Sequence, residues 1–210
     1  MKKIAVSFVA LLFSSLIFNA QAILKFEEGT HYEVISKTAS SQPNVTEFFS
    51  FYCPHCYKFE FVAKQLEKDL PANATFKKSH VDFMRTTSAA TQQALSRALI
   101  VAEKFDVGHK MVNAIFVHIH KEKKNFSNEA DIRQLFVANG VDGDKFDKAM
   151  KSFSVKGAAS KMKKAQNDLG PKLTGVPMFV VNDKYKVLGK ELKSMEDYQE
   201  LVQFLLAKKD

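Results

Sequence analysis

The two cysteines of this chain stand in one four-residue stretch, Cys53-Pro54-His55-Cys56, and the chain contains no others. Two thiols at that spacing can exchange with disulfides, hold half of a metal site, or close a small structural ring. The flanking residues argue for exchange. Val45 to Phe51 reads as a buried strand, and after Pro54 the apolar residues Phe59, Val62, Ala63, Leu66 and Leu70 repeat with helical spacing. Pro54 suits the first turn of that helix, where a missing N–H costs nothing. Cys53 then falls at the helix start, where unpaired N–H groups and the positive end of the dipole favour a thiolate. The thiolate is the reactive form of cysteine.

The two other readings need more than the sequence offers. A ring of this size restricts the unfolded chain by only about 2 kcal/mol, and a chain of this length buries an adequate core without it. A zinc site needs two further ligands, which histidines would have to supply. His118 and His120 are two apart in a helical pattern and so point in different directions.

The first residues bear on the same question. Lys2 and Lys3 precede an apolar segment from Ile4 to Phe18, followed by Ala20-Gln21-Ala22. This is the pattern of a secretory signal peptide over residues 1–22, cleaved near Ala22 so that the mature chain starts at Ile23. The apolar segment is short for a membrane span and carries Ser7, Ser14 and Ser15. Export, with the periplasm as the expected destination, places both thiols where disulfides form and persist. Removing Lys2 and Lys3 lowers the formal charge from +8 to +6. The surplus lies in runs such as Lys121-Glu122-Lys123-Lys124 and Lys161-Met162-Lys163-Lys164, which read as solvated faces. No basic-aromatic motif accompanies them, so nucleic acid is not an expected partner.

Element order narrows the fold. A short strand near His31 to Ile35, the Val45–Phe51 strand, a helix from Pro54 to about Leu70 and a strand from Thr75 to Val81 form a βαβ start with parallel pairing. Residues 86–170 then show only helical spacing. One helix carries Ala94, Ala98, Val101 and Phe105. A second carries Met111, Ile115, Phe116 and Ile119. A third is capped by Asn128 and ends at Asn139-Gly140. A short fourth carries Phe146, and a fifth stops at Gly170-Pro171. The aromatic and methionine positions of this block read as core. Strand character returns at Met178 to Val181, Asn182-Asp183 marks a hairpin turn into Tyr185 to Leu188, and a helix with Tyr198, Leu201, Val202 and Leu205 closes the chain.

This order, with Cys-x-x-Cys at the first helix start, resembles the thioredoxin fold interrupted by an all-helical insert: an α/β core over 23–85 and 171–210, and the insert over 86–170. Glu47 to Cys56 (EFFSFYCPHC) and Gly175-Val176-Pro177 are similar to the DsbA family of bacterial periplasmic thiol oxidases, and the similarity spans nearly the whole mature chain. The resemblance implies that Cys53 is the exposed nucleophile and Cys56 the buried resolving thiol. It also implies a strongly acidic Cys53 and a strong oxidant, for which that family is itself the general example. His55, between the cysteines, is the nearest donor or cation able to tune Cys53. Val176-Pro177 resembles a cis-proline loop facing the cysteines, with Val176 offering its backbone to an extended substrate segment. Glu47 is odd in an apolar strand. By resemblance, Glu47, Glu60 and Lys78 form a charged cluster beneath the site, read either as proton-handling or as a structural ion network.

The function so implied is a monomeric thiol:disulfide oxidase acting on exported proteins with cysteines. It needs no cofactor beyond its own disulfide, and a DsbB-type quinone-linked inner-membrane protein reoxidises it. The alternatives are a disulfide isomerase or reductase, and a folding chaperone without redox turnover.

Overall fold

The structure, a computed structural model, describes residues 25–208; the expected signal peptide and its cleavage point lie outside the described residues. The strand that organises the rest is β2 (Asn44–Phe49), all six residues of which are buried. A run of β-branched and aromatic residues covered on both faces belongs at the centre of a sheet. There β2 pairs in parallel with β3 (Thr75–His80) and antiparallel with β4 (Met178–Val181). With β1 (Tyr32–Val34) and β5 (Tyr185–Val187), the order across the sheet is β1-β5-β4-β2-β3. The β4–β5 hairpin turns through Asn182 and Asp183, both in the left-handed region at φ 54°, a conformation these two side chains tolerate.

Each face of the sheet has its own cover. Val45, Phe179, Val181 and Tyr185 meet Ala63 and Leu66 of α1 (Pro54–Lys68) and Leu201, Val202 and Leu205 of α7 (Met195–Ala207). On the opposite face Phe48, Met178 and Val180 meet Ala165 and Leu169 of α6 (Phe153–Leu169).

Between β3 and β4 the described residues form helices only: α2 (Ala89–Lys104), α3 (Gly108–Phe116), α4 (Glu129–Ala138), α5 (Gly143–Lys151) and α6. Side-chain caps start four of them, from Ser88, Asn128, Asp142 and Ser152, each satisfying an otherwise unpaired N–H. Gly170, at φ 49°, stops α6. Leu95, Leu99, Met111, Phe116, Phe136 and Phe146 fill the interior of this block, and the same apolar cluster continues into Phe49, Phe51, Tyr52, Cys53 and Cys56. The helical insert therefore forms one wall of the cysteine site. Phe153 departs from the expectation that aromatic residues of the block are core: it is 96% exposed.

Several element ends differ from expectation. β2 stops at Phe49 and not at Phe51, because Ser50 to Tyr52 turn the chain out of the sheet toward α1. The α1 helix ends at Lys68 and β5 at Val187, each a residue or two early. The helix read from Met111 through Ile119 is α3 only to Phe116; Val117–Lys121 is a π-helical turn. Apolar spacing alone does not show the extra residue. Among the described residues no helix is long and apolar enough to cross a membrane.

Candidate active site

The corner between β2 and α1 is built from few bonds. The Tyr52 N–H donates to Ser50 Oγ at 3.2 Å and the Cys53 N–H to the Ser50 carbonyl at 3.1 Å. This turn leaves Cys53 extended (φ −92°, ψ 114°) as the N-cap of α1, with Pro54 in the first turn. Its sulfur takes the place of the usual capping oxygen and accepts the Cys56 N–H at 3.3 Å. One turn of helix carries Cys56 inward, where it has no exposed surface. The two cysteines are free thiols.

The pair splits in acidity. Cys53 is drawn down from 9.0 to about 6, chiefly by the side chain of Cys56, against the opposing effect of burial; the N–H groups of Cys56 and His55 and the charge of His55 add to the pull. Cys56 moves the other way, held protonated by its pairing with Cys53 and by burial. His55 is exposed; it lowers the Cys53 pKa as expected of the nearest donor or cation, but by less than Cys56 does. A second difference concerns access. Cys53 is not an open nucleophile but only 5% exposed, because the loop before β4 covers it.

That loop is Gly175-Val176-Pro177, and its Val176–Pro177 peptide is cis. The Val176 carbonyl lies 3.3 Å from the Cys53 sulfur, across 123 residues of sequence. Val176 and Pro177 line two hollows. One, of about 220 Å³, is bounded by His55, Phe59 and Tyr198. The other, of about 360 Å³, is bounded by Thr174, Lys186 and Lys190.

Beneath the corner, the register of β2 and β3 sets Glu47 beside Lys78, and α1 brings Glu60 over them. The Lys78 ammonium donates to Glu47 Oε2 and, at 2.9 Å, to Glu60 Oε2. Glu47 is fully buried, and its Oε1 has no partner among the described residues. Burial pushes the Glu47 carboxyl up to about 7, with Lys78 pulling it back. For Lys78, burial works against the charge, but the two carboxylates outweigh it and raise the pKa. The charge of Glu47 also helps keep Cys56 protonated. All eight residues singled out in the sequence thus sit in one assembly: the cysteines with His55 at the corner, Val176 and Pro177 across from them, Glu47, Glu60 and Lys78 below.

Three contributors were not legible. Ser50 orders the turn through its neighbours Tyr52 and Cys53; Tyr52 accepts the Phe126 N–H at 3.3 Å and His120 reaches the Phe51 carbonyl, and these last two partners are too distant in sequence to leave a local signal. His80, unassigned from the sequence, is buried against the rings of Phe49 and Phe51. Among the described residues no group of three or more His, Cys, Asp or Glu side chains is placed to hold a metal ion.

Comparison with known proteins matches residues 44–203 to the DSBA-like thioredoxin domain. The chain is 36% identical over 203 residues to the thiol:disulfide interchange protein DsbA of Dickeya dadantii, covering 92% of this chain and 94% of that one. It is 36% identical over the full length of both chains to the DsbA of Salmonella typhimurium. Among solved structures it superposes on Proteus mirabilis DsbA with a TM-score of 0.77 at 34% identity, covering 90% of this chain and all of that one. A cysteine variant of that enzyme with a non-covalently bound peptide matches with a TM-score of 0.79 at 32% identity, over 88% of this chain and 100% of that one.

Proposed function

The chain belongs to the family of DSBA-like thioredoxin domains, and on that premise we propose that it is a thiol:disulfide oxidase that donates the Cys53–Cys56 disulfide to cysteine-containing proteins exported to the periplasm. The observation that carries this reading is the split between the two thiols, with Cys53 drawn down to about 6 and Cys56 held protonated. A stabilised thiolate is a good leaving group, and exchange speeds up as the leaving thiol becomes more acidic.

The cycle follows from that split. A substrate thiolate attacks the Cys53 sulfur of the disulfide, forms a mixed disulfide and expels the Cys56 sulfur. Cys56 then takes up a proton. A second substrate thiolate attacks the substrate sulfur of the mixed disulfide and expels the Cys53 thiolate. The substrate loses two electrons and two protons, and the Cys53/Cys56 pair gains the two electrons. Glu47, with a carboxyl near neutrality, is the group suited to supply and reclaim the Cys56 proton, and Lys78 and Glu60 fix its orientation. The Proteus mirabilis relative binds a peptide non-covalently; in this chain the Val176–Pro177 loop, 3.3 Å from the Cys53 sulfur, is the element we propose to hold an extended segment of substrate. Return to the disulfide requires an electron acceptor, for which we propose a DsbB-type quinone-linked membrane partner; the chain acts as a monomer once its signal peptide is removed.

Equilibrating the protein with reduced and oxidised glutathione tests the reading. An oxidase settles largely as the dithiol in a buffer that keeps ordinary structural disulfides closed, and it oxidises a model peptide dithiol stoichiometrically. A pair that stays closed in that buffer is a reductant or a staple, and the proposal falls.

A further inference from the structure

At Val117 the chain leaves the α-helical register of α3, and Val117–Lys121 closes as a π-helical turn through the Glu122 N–H on the Val117 carbonyl at 2.9 Å. Such turns insert a residue into a helix and recur at functional sites. This one re-aims two histidines. His120 Nε2 lies 2.8 Å from the Phe51 carbonyl; a carbonyl only accepts, so Nε2 carries the proton and donates it. The same imidazole stacks on Tyr57 with centroids 5.2 Å apart and planes 9° apart. Phe51 stands two residues before Cys53, and Tyr57 directly follows Cys56. One side chain therefore holds both ends of the active corner. His118 faces away and stacks on Phe126 at 4.4 Å, the residue whose N–H is bonded to the Tyr52 hydroxyl.

We infer that His120 is a positioning residue for thiol–disulfide exchange: by anchoring the Phe51 carbonyl and the Tyr57 ring, it fixes the Cys53 sulfur against the N–H groups that open α1. This rests on the oxidase reading. The Ser50–Tyr52 turn has only the Ser50 side chain and carbonyl to hold it from within. A buried carbonyl deprived of its donor is driven to find another, and here that rotates the Phe51–Tyr52 peptide leading into Cys53. The contact most exposed to such a rotation is the bond from the Cys56 N–H to the Cys53 sulfur, at 3.3 Å. A hydrogen bond to a charged acceptor is the one whose loss matters most.

Three variants separate the two contacts. His120→Ala removes both, His120→Phe keeps a ring over Tyr57 without a donor, and His120→Gln keeps an N–H able to reach Phe51. Titrating the thiolate absorbance of the reduced proteins should show Cys53 less acidic in the Ala and Phe variants by about half a unit to one unit. That is about a three- to tenfold weaker thiolate equilibrium. Their glutathione equilibria should move toward the disulfide by a similar factor, and Gln should recover at least half of both shifts. Phe146→Leu, in the α4–α5 core against Phe136, controls for loosening: it should lower the melting temperature and leave the Cys53 titration in place. The inference is overturned if all three His120 variants titrate with the wild type, if Gln titrates like Ala, or if Phe146→Leu moves the midpoint as far as His120→Ala. A wild-type protein that fails to oxidise peptide dithiols would instead sink the oxidase reading itself.

Discussion

Lys78 and His80 stand two residues apart on one face of β3, both withdrawn from water, and they end in opposite charge states. Lys78 keeps its proton because two carboxylates reach it. His80 meets only a hydroxyl and aromatic walls. Its Nδ1 is 2.8 Å from Ser96 Oγ, and Ser96 donates in turn to the Gln92 carbonyl at 3.2 Å. The Ser96 oxygen therefore accepts from His80 Nδ1–H. Burial pushes the imidazole down to about 3 despite the pull of Asp82. The ring of Phe49 touches both groups, 4.7 Å from the Lys78 ammonium and 5.5 Å from the imidazole centroid. Burial alone does not decide charge; the counter-charges within reach do.

The two neighbourhoods also carry opposite pH signatures. Glu47 has its pKa raised from 4.5 to about 7 on folding, so its contribution to stability is complete below pH 4.5 and is lost as pH rises through 7. His80 has its pKa lowered from 6.5 to about 3, so its contribution is complete above pH 6.5 and is lost as pH falls through 3.

The largest effect should come from removing the counter-charge. Lys78→Met leaves the buried Glu47 without a counter-charge and Glu60 with only Lys64, 3.9 Å away, and should cost about 3–5 kcal/mol in urea unfolding at pH 7.5. The cost should shrink at pH 5, where Glu47 takes up a proton; equal losses at both pH values would mean that Glu47 does not titrate between them. The reduced thiol pair provides a further buried charge, held by partners as Lys78 is. Cys53 is depressed from 9.0 to about 6, so the reduced fold gains its full advantage only near pH 9 and loses it as pH falls through 6. The ring closed by the disulfide offers only about 2 kcal/mol in return. Reduced protein should therefore melt above oxidised protein at pH 8, with the gap closing toward pH 5; an oxidised form more stable throughout would mark a structural staple. The smallest effects should come from neutral replacements on the two sides of Phe49. His80→Leu should cost about 1 kcal/mol at neutral pH for the lost hydrogen bond and flatten the decline toward pH 4. Glu47→Gln should flatten the decline between pH 5 and pH 7.5 instead. Urea midpoints that track the wild type across the range in both variants would dissolve the contrast.

Local signals made much of this legible in the sequence. Strand, Pro54 and apolar repeat converge on Cys53 as a helix cap, and Asn128, Gly170 and the Asn182-Asp183 turn fall where side-chain chemistry places them. The charged cluster was half legible from the residues themselves: Glu47 stood out in an apolar strand, whereas Glu60 and Lys78 joined it only through family resemblance, because the β2–β3 register that sets Lys78 beside Glu47 leaves no local signal. The π-helical turn was hidden because Met111, Ile115, Phe116 and Ile119 satisfy an uninterrupted helix equally well. The low exposure of Cys53 was hidden because its cover, Val176, arrives from elsewhere in the chain.

That cover has a consequence in time. Synthesis runs from the N-terminus, and the 123 residues from Pro54 through Val176 take about 6–25 s to be made at about 5–20 residues per second. Within that interval β2, α1 and β3 are completed and can pair locally, but the loop that roofs the nucleophile does not yet exist. The nascent chain carries its reactive sulfur unroofed for most of its own birth, as vulnerable to stray pairing as the clients it later serves.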